Sequence, residues 1–278
     1  MRAALLAGLA VGLAAVAGPA AAQTAAQTSA QTSAKRVMSL DSCADQYVLA
    51  LAPREAVVGV SPRADAPDSF LRAKAAGLPQ RRATIEAVLG ARPDVVVRQW
   101  GGDARLTAAI ARRGVHTVSL GDATDFDGVR ANVRQVAQAL NRPAEGEALL
   151  ARMDSDLARA AGAGRGRSAF YLTPGGYTAG PNTMIDAMLR AAGFANASTQ
   201  PYFSPAPLEQ LVLNPPKTVV LGFFDLTRAG ADRWGPGRHA ALRKTTRGRV
   251  IASLPGAMLG CSAWFAADGA RALAGAAR

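Results

Sequence analysis

Aromatic and methionine side chains are concentrated in the segments that follow the predicted strands. Aromatic residues make up only 5% of the sequence, so this concentration is informative. Flat aromatic faces give a large apolar contact at low entropic cost, which suits a bulky planar molecule. We expect roughly half of the set to contact a ligand and the rest to be core. The set is Trp100, Tyr177, Tyr202, Phe203, Phe223, Phe224, Met258 and Trp264.

Arginines flank the same loops in the first half of the chain. Guanidinium groups favour carboxylate, phosphate and catecholate oxygens, so these arginines favour an acidic ligand; the alternative is that they are ordinary solvated residues. The formal net charge is +12, but the basic residues are scattered and no nucleic-acid motif occurs, so nucleic acid is not an expected partner. The arginines are Arg63, Arg81, Arg82, Arg98 and Arg105.

The chain has only two cysteines, Cys43 and Cys261. An oxidising compartment would allow a disulfide between them. The residues alone leave two alternatives open, which are a pair of buried thiols or thiols that face a ligand.

Residues suited to catalysis are scarce. The histidines are His116, in a predicted strand, and His239, in a basic loop. No HExxH, GxSxG, Walker A or CxxC motif occurs. A Cys43–His116 nucleophile–base pair, as in a secreted hydrolase, is a distant alternative. We therefore predict that the protein is not an enzyme and holds no metal or cofactor of its own.

Strands and helices alternate in each half of the chain, which predicts mostly parallel sheets covered on both faces by helices. The strands are predicted at 36–40, 56–60, 95–97 and 115–120 in the first half, and at 169–172, 218–221 and 249–252 in the second. Helices are predicted at 44–51, 84–89, 103–113, 183–192 and 266–276.

Apolar residues recur at helical spacing between the two halves, from Phe126 to Ala161. We predict one connecting helix over this range. The alternative is a pair of ordinary helices, because Pro143 suits the first turn of a new helix.

The N-terminus resembles a secretory leader. Residues 1–22 have a charged start, an apolar stretch and a small-residue cleavage site, which predicts a signal peptide and a periplasmic location. Residues 23–34 form a Gln/Thr/Ser/Ala tract, predicted to be a flexible tether. The remaining predicted domains are an N-terminal lobe over 35–125, the connecting helix over 126–161 and a C-terminal lobe over 162–278.

Several short motifs, in this order and spacing, resemble the class III periplasmic substrate-binding proteins of ABC importers, which bind vitamin B12, ferric siderophores or haem. The motifs are residues 36–40, 58–61, 85–89, 92–97, 177–180, 208–211 and 218–220. The segment from Arg98 to Arg105 is especially similar to the vitamin B12-binding members, in which an aromatic residue here touches the corrin.

This resemblance implies two three-layer α/β/α lobes joined by a long backbone helix, with a ligand cleft between them. It implies delivery of a metal chelate to the importer's permease dimer, with a cobalamin or other corrinoid first, a ferric siderophore as the alternative and haem less favoured. It also implies a monomer whose Glu86 and Glu209 dock onto the permease. The sequence departs from the family at Cys43 and Cys261, which fall on loops expected to face the cleft, one in each lobe, and a disulfide between them would hold the lobes together. The expected ligand-binding residues are Ser42, Cys43, Arg63, Arg82, Trp100, Gly101, Tyr177, Phe203, Phe224 and Trp264.

Overall fold

The computed structural model describes residues 34–226 and 240–277. The predicted signal peptide over 1–22, nearly all of the tether over 23–34, and His239 lie outside these residues. Within them, no helix has both the length and the apolar character needed to cross a membrane.

Short strands alternate with helices along the chain. The strands are β1 (Val37–Ser39), β2 (Val57–Gly59), β3 (Val95–Arg98), β4 (His116–Ser119), β5 (Ser168–Leu172), β6 (Tyr177–Ala179), β7 (Ala195–Asn196), β8 (Phe203–Pro205), β9 (Val219–Gly222) and β10 (Val250–Leu254). The helices are α1 (Ser42–Leu51), α2 (Arg72–Ala75), α3 (Ile85–Ala91), α4 (Ala104–Ala111), α5 (Phe126–Ala139), α6 (Pro143–Ala160), α7 (Met184–Ala191), α8 (Leu208–Leu213), α9 (Ala240–Thr246), α10 (Gly256–Leu259) and α11 (Ala266–Ala276).

The N-terminal lobe is a parallel sheet with the strand order β2-β1-β3-β4. Successive residues of a strand point to opposite faces, so an unbroken apolar strand needs cover on both sides. Val95 and Val97 of β3 pack with α1 and α5 on one face. Val96 packs with α3 and α4 on the other. This produces the three layers expected from the sequence.

The C-terminal lobe repeats this plan with the strand order β10-β9-β5-β7, again parallel. Tyr171 of β5 faces the layer of α7 and α11. Phe170 and Leu172 face α8 and α9. Strands β6 and β8, neither of which is among the predicted strands, form a separate antiparallel pair. Its short strands are bordered by Gly and Pro, which concealed the strand signal.

The single connecting helix predicted over 126–161 is wrong, because the chain reverses at Leu140–Arg142. Helices α5 and α6 then run antiparallel. Arg134 pairs with Glu147 at 2.7 Å, and Arg130 with Asp154 at 2.5 Å. Pro143 is the first residue of α6, as the alternative reading allowed. The residue limits predicted for the two lobes remain predictions.

Helix α6 is the long element that connects the two lobes. Its buried residues, such as Leu150 and Met153, belong to one hydrophobic core that includes α1 and α5 of the first lobe and α7 and α11 of the second. Arg271 of α11 also lies 3.0 Å from Asp156 of α6. The lobes therefore share an interior instead of meeting at a solvated hinge.

The α5–α6 contact depends on the absence of a side chain at Gly146. A Cβ atom there would lie 2.6 Å from the Cβ of Ala137. We predict that Gly146→Ala lowers the free energy of unfolding by about 1–3 kcal/mol, the usual cost of overpacking. Gly90 of α3 is the matched control, since a Cβ there meets no atom within 4 Å. Gly90→Ala should be neutral or stabilising by about 0.5 kcal/mol. Urea midpoints that move equally in both variants would contradict this packing.

Candidate functional site

The strand order of each sheet fixes where a ligand can bind. In open parallel sheets, ligands occupy the crevice beyond the carboxyl ends of the strands, where the chain changes direction across the sheet. The strand order places that point between β1 and β3 in the first lobe, and between β5 and β9 in the second. The loops that follow these strands begin at Leu40, Gln99, Thr173 and Phe223.

A cleft of about 200 Å³ lies between the lobes at these loops. Its walls are mostly apolar, and Asp122 is the one charged side chain among the described residues that line it. The lining residues are Cys43, Gln99, Trp100, Asp122, Met184, Ile185, Met188, Phe203, Phe223, Met258, Leu259, Gly260, Cys261 and Ser262.

The Trp100 loop is held rigidly while its side chain is free. Arg98 donates to the carbonyl oxygens of Gly101 at 2.6 Å and Gly102 at 3.0 Å. Gly101 has no room for a Cβ, which would lie 2.4 Å from the oxygen of Leu40. Gly102 has a φ of 79°, a conformation that favours glycine. Trp100 itself is 57% exposed, so a flat ligand would meet an indole that is already in place.

Asp45 fixes a second loop of the first lobe. Its buried carboxylate accepts from the backbone N–H of Ser61 at 2.8 Å, from the Ser61 hydroxyl at 2.5 Å and from the Ser39 hydroxyl. Burial raises the pKa of Asp45 above its ordinary value, although these hydrogen bonds act in the opposite direction. The network holds the turn after β2, where Arg63 lies.

The rim of the second lobe carries backbone strain at aromatic residues. Tyr202 and Phe223 both have a φ of 64°, which is costly for bulky side chains. Tyr202 is tied to the neighbouring loop, since its N–H donates to Pro181 at 2.8 Å and its carbonyl accepts from Gly180 at 2.9 Å. Such strain persists only where the surrounding structure enforces it. The aromatic rim is therefore built into the fold.

A disulfide joins Cys43 of α1 to Cys261, with a Cα–Cα distance of 5.4 Å. The two residues belong to different lobes, and both line the cleft. Among the alternatives left open by the sequence, the structure has the disulfide, and no cysteine is free.

Aromatic contacts extend this connection behind the cleft. The Tyr47 hydroxyl donates to the Ser262 carbonyl at 2.8 Å, and its ring meets Trp264 edge-on at 5.5 Å. Phe70 stacks on Phe265 at 4.2 Å. We call these contacts, together with the disulfide, the interlobe seam.

The predicted ligand residues fall into three groups. Cys43, Trp100 and Phe203 line the cleft. Tyr177 is exposed on β6, near the cleft residue Phe203, which lies on the partner strand β8. The other predicted residues do not line the cleft. Ser42 begins α1, Gly101 supports the Trp100 loop and Phe224 begins a short turn. Arg63 pairs with Asp68 at 2.5 Å, Arg82 lies between α2 and α3, and Trp264 is packed in the interlobe seam.

Sequence reasoning overlooked several lining residues. Met184 and Ile185 follow the helical period of α7, which is typical of core positions, yet their place in its first turn also brings them to the cleft. Phe223 belongs to the aromatic set but not to the expected ligand-binding residues, and it lines the cleft in place of Phe224. For Asp122, the only sequence feature that could have indicated a cleft position is that it follows β4.

A larger hollow, of about 610 Å³, is lined by Arg159, Arg165 and Arg167. It lies at the turn before β5, at the amino end of that strand, which is the opposite edge of the sheet from the crevice. Arg159 and Arg167 already have partners within the fold. The interlobe cleft is therefore the better candidate.

A pair of doubly wound lobes with a cleft between them is the architecture of bilobed binding proteins. A family profile described as periplasmic binding protein matches residues 37–222, and the chain belongs to this family. The family is one of substrate-binding proteins, not of enzymes.

The chain is also similar to individual proteins. It is 30% identical over 199 residues to a cobalamin-binding protein of Halobacterium salinarum, which covers 68% of this chain but only 54% of that relative. The chain thus spans little more than half of the relative's length. A periplasmic haem-binding protein solved in complex with two haems is 28% identical, with a TM-score of 0.67, over 88% of this chain and all (100%) of that one. The apo haem-binding protein from Roseiflexus sp. RS-1 is 26% identical, with a TM-score of 0.67, over 88% of this chain and 100% of its own.

The interlobe disulfide closes a loop with a sequence separation of 218 residues. Constraining so long a loop in the unfolded chain stabilises the native state by about 2–5 kcal/mol. We predict that Cys43→Ser combined with Cys261→Ser lowers the free energy of unfolding by that amount, measured with urea. A dithiol reductant should destabilise the wild type to the same level and leave the double variant unchanged. A variant as stable as the oxidised wild type would contradict the assignment.

Proposed function

We propose that this chain is the exported, periplasmic substrate-binding protein of an ABC importer and that it captures a bulky, flat metal chelate, first of all a corrinoid. The observation that carries the proposal is the position of Trp100, Phe203 and Phe223 at the cleft between two lobes of this family. Nothing in this role requires chemistry, so the protein is proposed to bind and not to react. The leader predicted over residues 1–22 would account for export.

The cleft would enclose only part of a large, flat ligand. At about 200 Å³ it is smaller than the usual pocket for a drug-sized molecule, which is about 300–1,000 Å³. A macrocycle would therefore extend beyond the cleft and rest on the exposed rings at its mouth. Trp100 is 57% exposed, Tyr177 49% and Tyr202 60%. We propose that these rings, with Cys43 and Phe203, contact the ligand.

The charge of the cleft favours an amide-bearing corrinoid over an anionic siderophore. Of the arginines expected to hold an acidic chelate, Arg63 pairs with Asp68, Arg81 donates to the carbonyl of Val58, and Arg98 supports the Trp100 loop. Arg82 and Arg105 remain available as rim contacts. The cobalamin-binding relative supports the same choice.

Haem is the second candidate, because the two solved structures compared above are haem-binding proteins that are more than 25% identical to this chain. Haem iron in proteins takes His, Cys, Met or Tyr ligands. Among the described residues, the exposed phenols of Tyr177 and Tyr202 could supply one. A ferric siderophore remains the other alternative.

We further propose that the protein works as a monomer and docks onto a permease dimer through Glu86 and Glu209. Each residue lies in the first turn of a short helix, α3 or α8, and each is exposed. Two separated carboxylates, one on each lobe, would orient the protein over complementary arginines. The alternative is that the carboxylates only complement the helix dipoles.

The ligand is tested by thermal unfolding with cyanocobalamin, dicyanocobinamide, haemin and ferric hydroxamate or catecholate chelates. A ligand at one hundred times its Kd stabilises the native state by about 2.7 kcal/mol, so the corrinoids should raise Tm by several degrees. A rise with haemin alone would transfer the assignment to haem. No rise with any chelate would overturn the proposed function.

The cleft assignment predicts different results for two tryptophans. Trp100→Ala should weaken the binding of the active chelate by about tenfold or more, because it removes a large aromatic contact. Trp264→Phe is the matched control, since Trp264 packs in the interlobe seam, and it should leave Kd within about twofold. Titration calorimetry measures both values. Equal losses would count against this cleft.

The docking proposal predicts that Glu86→Ala combined with Glu209→Ala keeps ligand affinity but abolishes most ligand uptake by cells that carry the importer, since the orienting charges are lost. Glu55→Ala is the control, because Glu55 is also an exposed glutamate in the first turn of a short helix. Normal uptake by the double variant would refute the docking role.

A further inference from the structure

One buried carboxylate connects the start of α1 to the Trp100 loop. Oδ1 of Asp41 accepts from the backbone N–H groups of Cys43 at 3.2 Å and Ala44 at 2.9 Å, which caps the helix. Oδ2 accepts from the N–H groups of Gln99 at 2.7 Å, Trp100 at 3.2 Å and Gly101 at 2.9 Å. The two oxygens therefore serve two different elements.

The second group of bonds is not needed for an ordinary helix cap. Asp103 and Asp125 cap α4 and α5 through one oxygen each. Asp41 is only 5% exposed, so its carboxylate is largely removed from water and depends on these N–H donors for stabilisation. Three consecutive N–H groups converging on one oxygen fix the backbone on both sides of Trp100.

The consequence concerns ligand affinity. An exposed indole on a mobile loop would lose conformational entropy on binding, whereas one on a fixed loop has largely lost it during folding. We infer that Asp41 is a positioning residue for ligand recognition, which holds the Trp100 indole ready for the chelate and affects affinity only through it. This inference rests on the proposed function, since it requires Trp100 to contact the ligand.

Asp41→Asn is the most selective variant. The amide oxygen can keep the helix cap, because Asn is a good capping residue. The amide nitrogen would then face three N–H donors and could not accept from them. Asp103→Asn makes the same chemical change at a cap that does not reach residues 99–101. Asp41→Ser also keeps a cap but is too short for the loop, and it serves if Asp41→Asn folds poorly.

Two measurements separate the steps of the inference. Hydrogen exchange of the amides of residues 99–101 reports on the loop without any ligand, and should be faster in Asp41→Asn than in Asp103→Asn or the wild type. Titration with cyanocobalamin, haemin and ferric hydroxamate or catecholate chelates reports on recognition. We expect about a tenfold weaker Kd for the bound probe in Asp41→Asn and no change in Asp103→Asn.

A double-mutant cycle with Trp100→Ala tests whether Asp41 acts through the indole. If it does, Asp41→Asn should have little further effect on Kd in the Trp100→Ala background. Additive losses, or an unchanged Kd despite faster exchange, would overturn the inference. If the wild type binds none of these chelates, the proposed function fails, and Asp41 would then hold the loop without a role in recognition, which also overturns the inference. Unchanged exchange in Asp41→Asn would refute the positioning step itself.

Discussion

The geometry of the cleft depends on the packing of α1 against residues 256–265. Tyr47 and Cys43 of this helix meet Ser262 and Cys261 of the other lobe. The same helix begins just after the carboxyl end of β1, beside the crevice of the first lobe, and packs on one face of the sheet. Because one rigid element contacts both walls, the distance between the walls is set during folding and not by the ligand.

This constraint explains why the rest of the site can be made of loops. Loops usually carry binding residues on a rigid scaffold, and here the scaffold includes both lobes. The Trp100 loop is fixed by Asp41 and Arg98, and the turn after β2 by Asp45. The short helix α10 is held in a similar way, since Asp225 accepts from the N–H of Gly256 at 2.9 Å. Buried or half-buried polar groups thus fix the individual loops, and the shared core fixes the two lobes.

Most of the fold could be predicted from sequence, because buried parallel strands such as Val95–Val97 are continuous apolar runs and because Thr84 and Gly114 mark helix limits. The turn between α5 and α6 was misjudged, since apolar periodicity does not reveal whether a helix continues or folds back at Asn141. The site was predicted only in part. Trp100 follows β3, Phe203 begins β8, and both lie at the cleft. Trp264 was expected to contact the ligand as well, but it packs in the interlobe seam. Only the tertiary contacts distinguish these positions.

The left-handed backbone at Tyr202 and Phe223 limits how far this protein can be stabilised by substitution without changing the cleft. Glycine would adopt those angles without strain, so the substitutions that relax the fold are those that delete rings from the rim. If these rings contact the ligand as proposed, stability and ligand affinity therefore place opposite demands on these two positions. Stabilising substitutions are therefore better placed in helices that do not line the cleft.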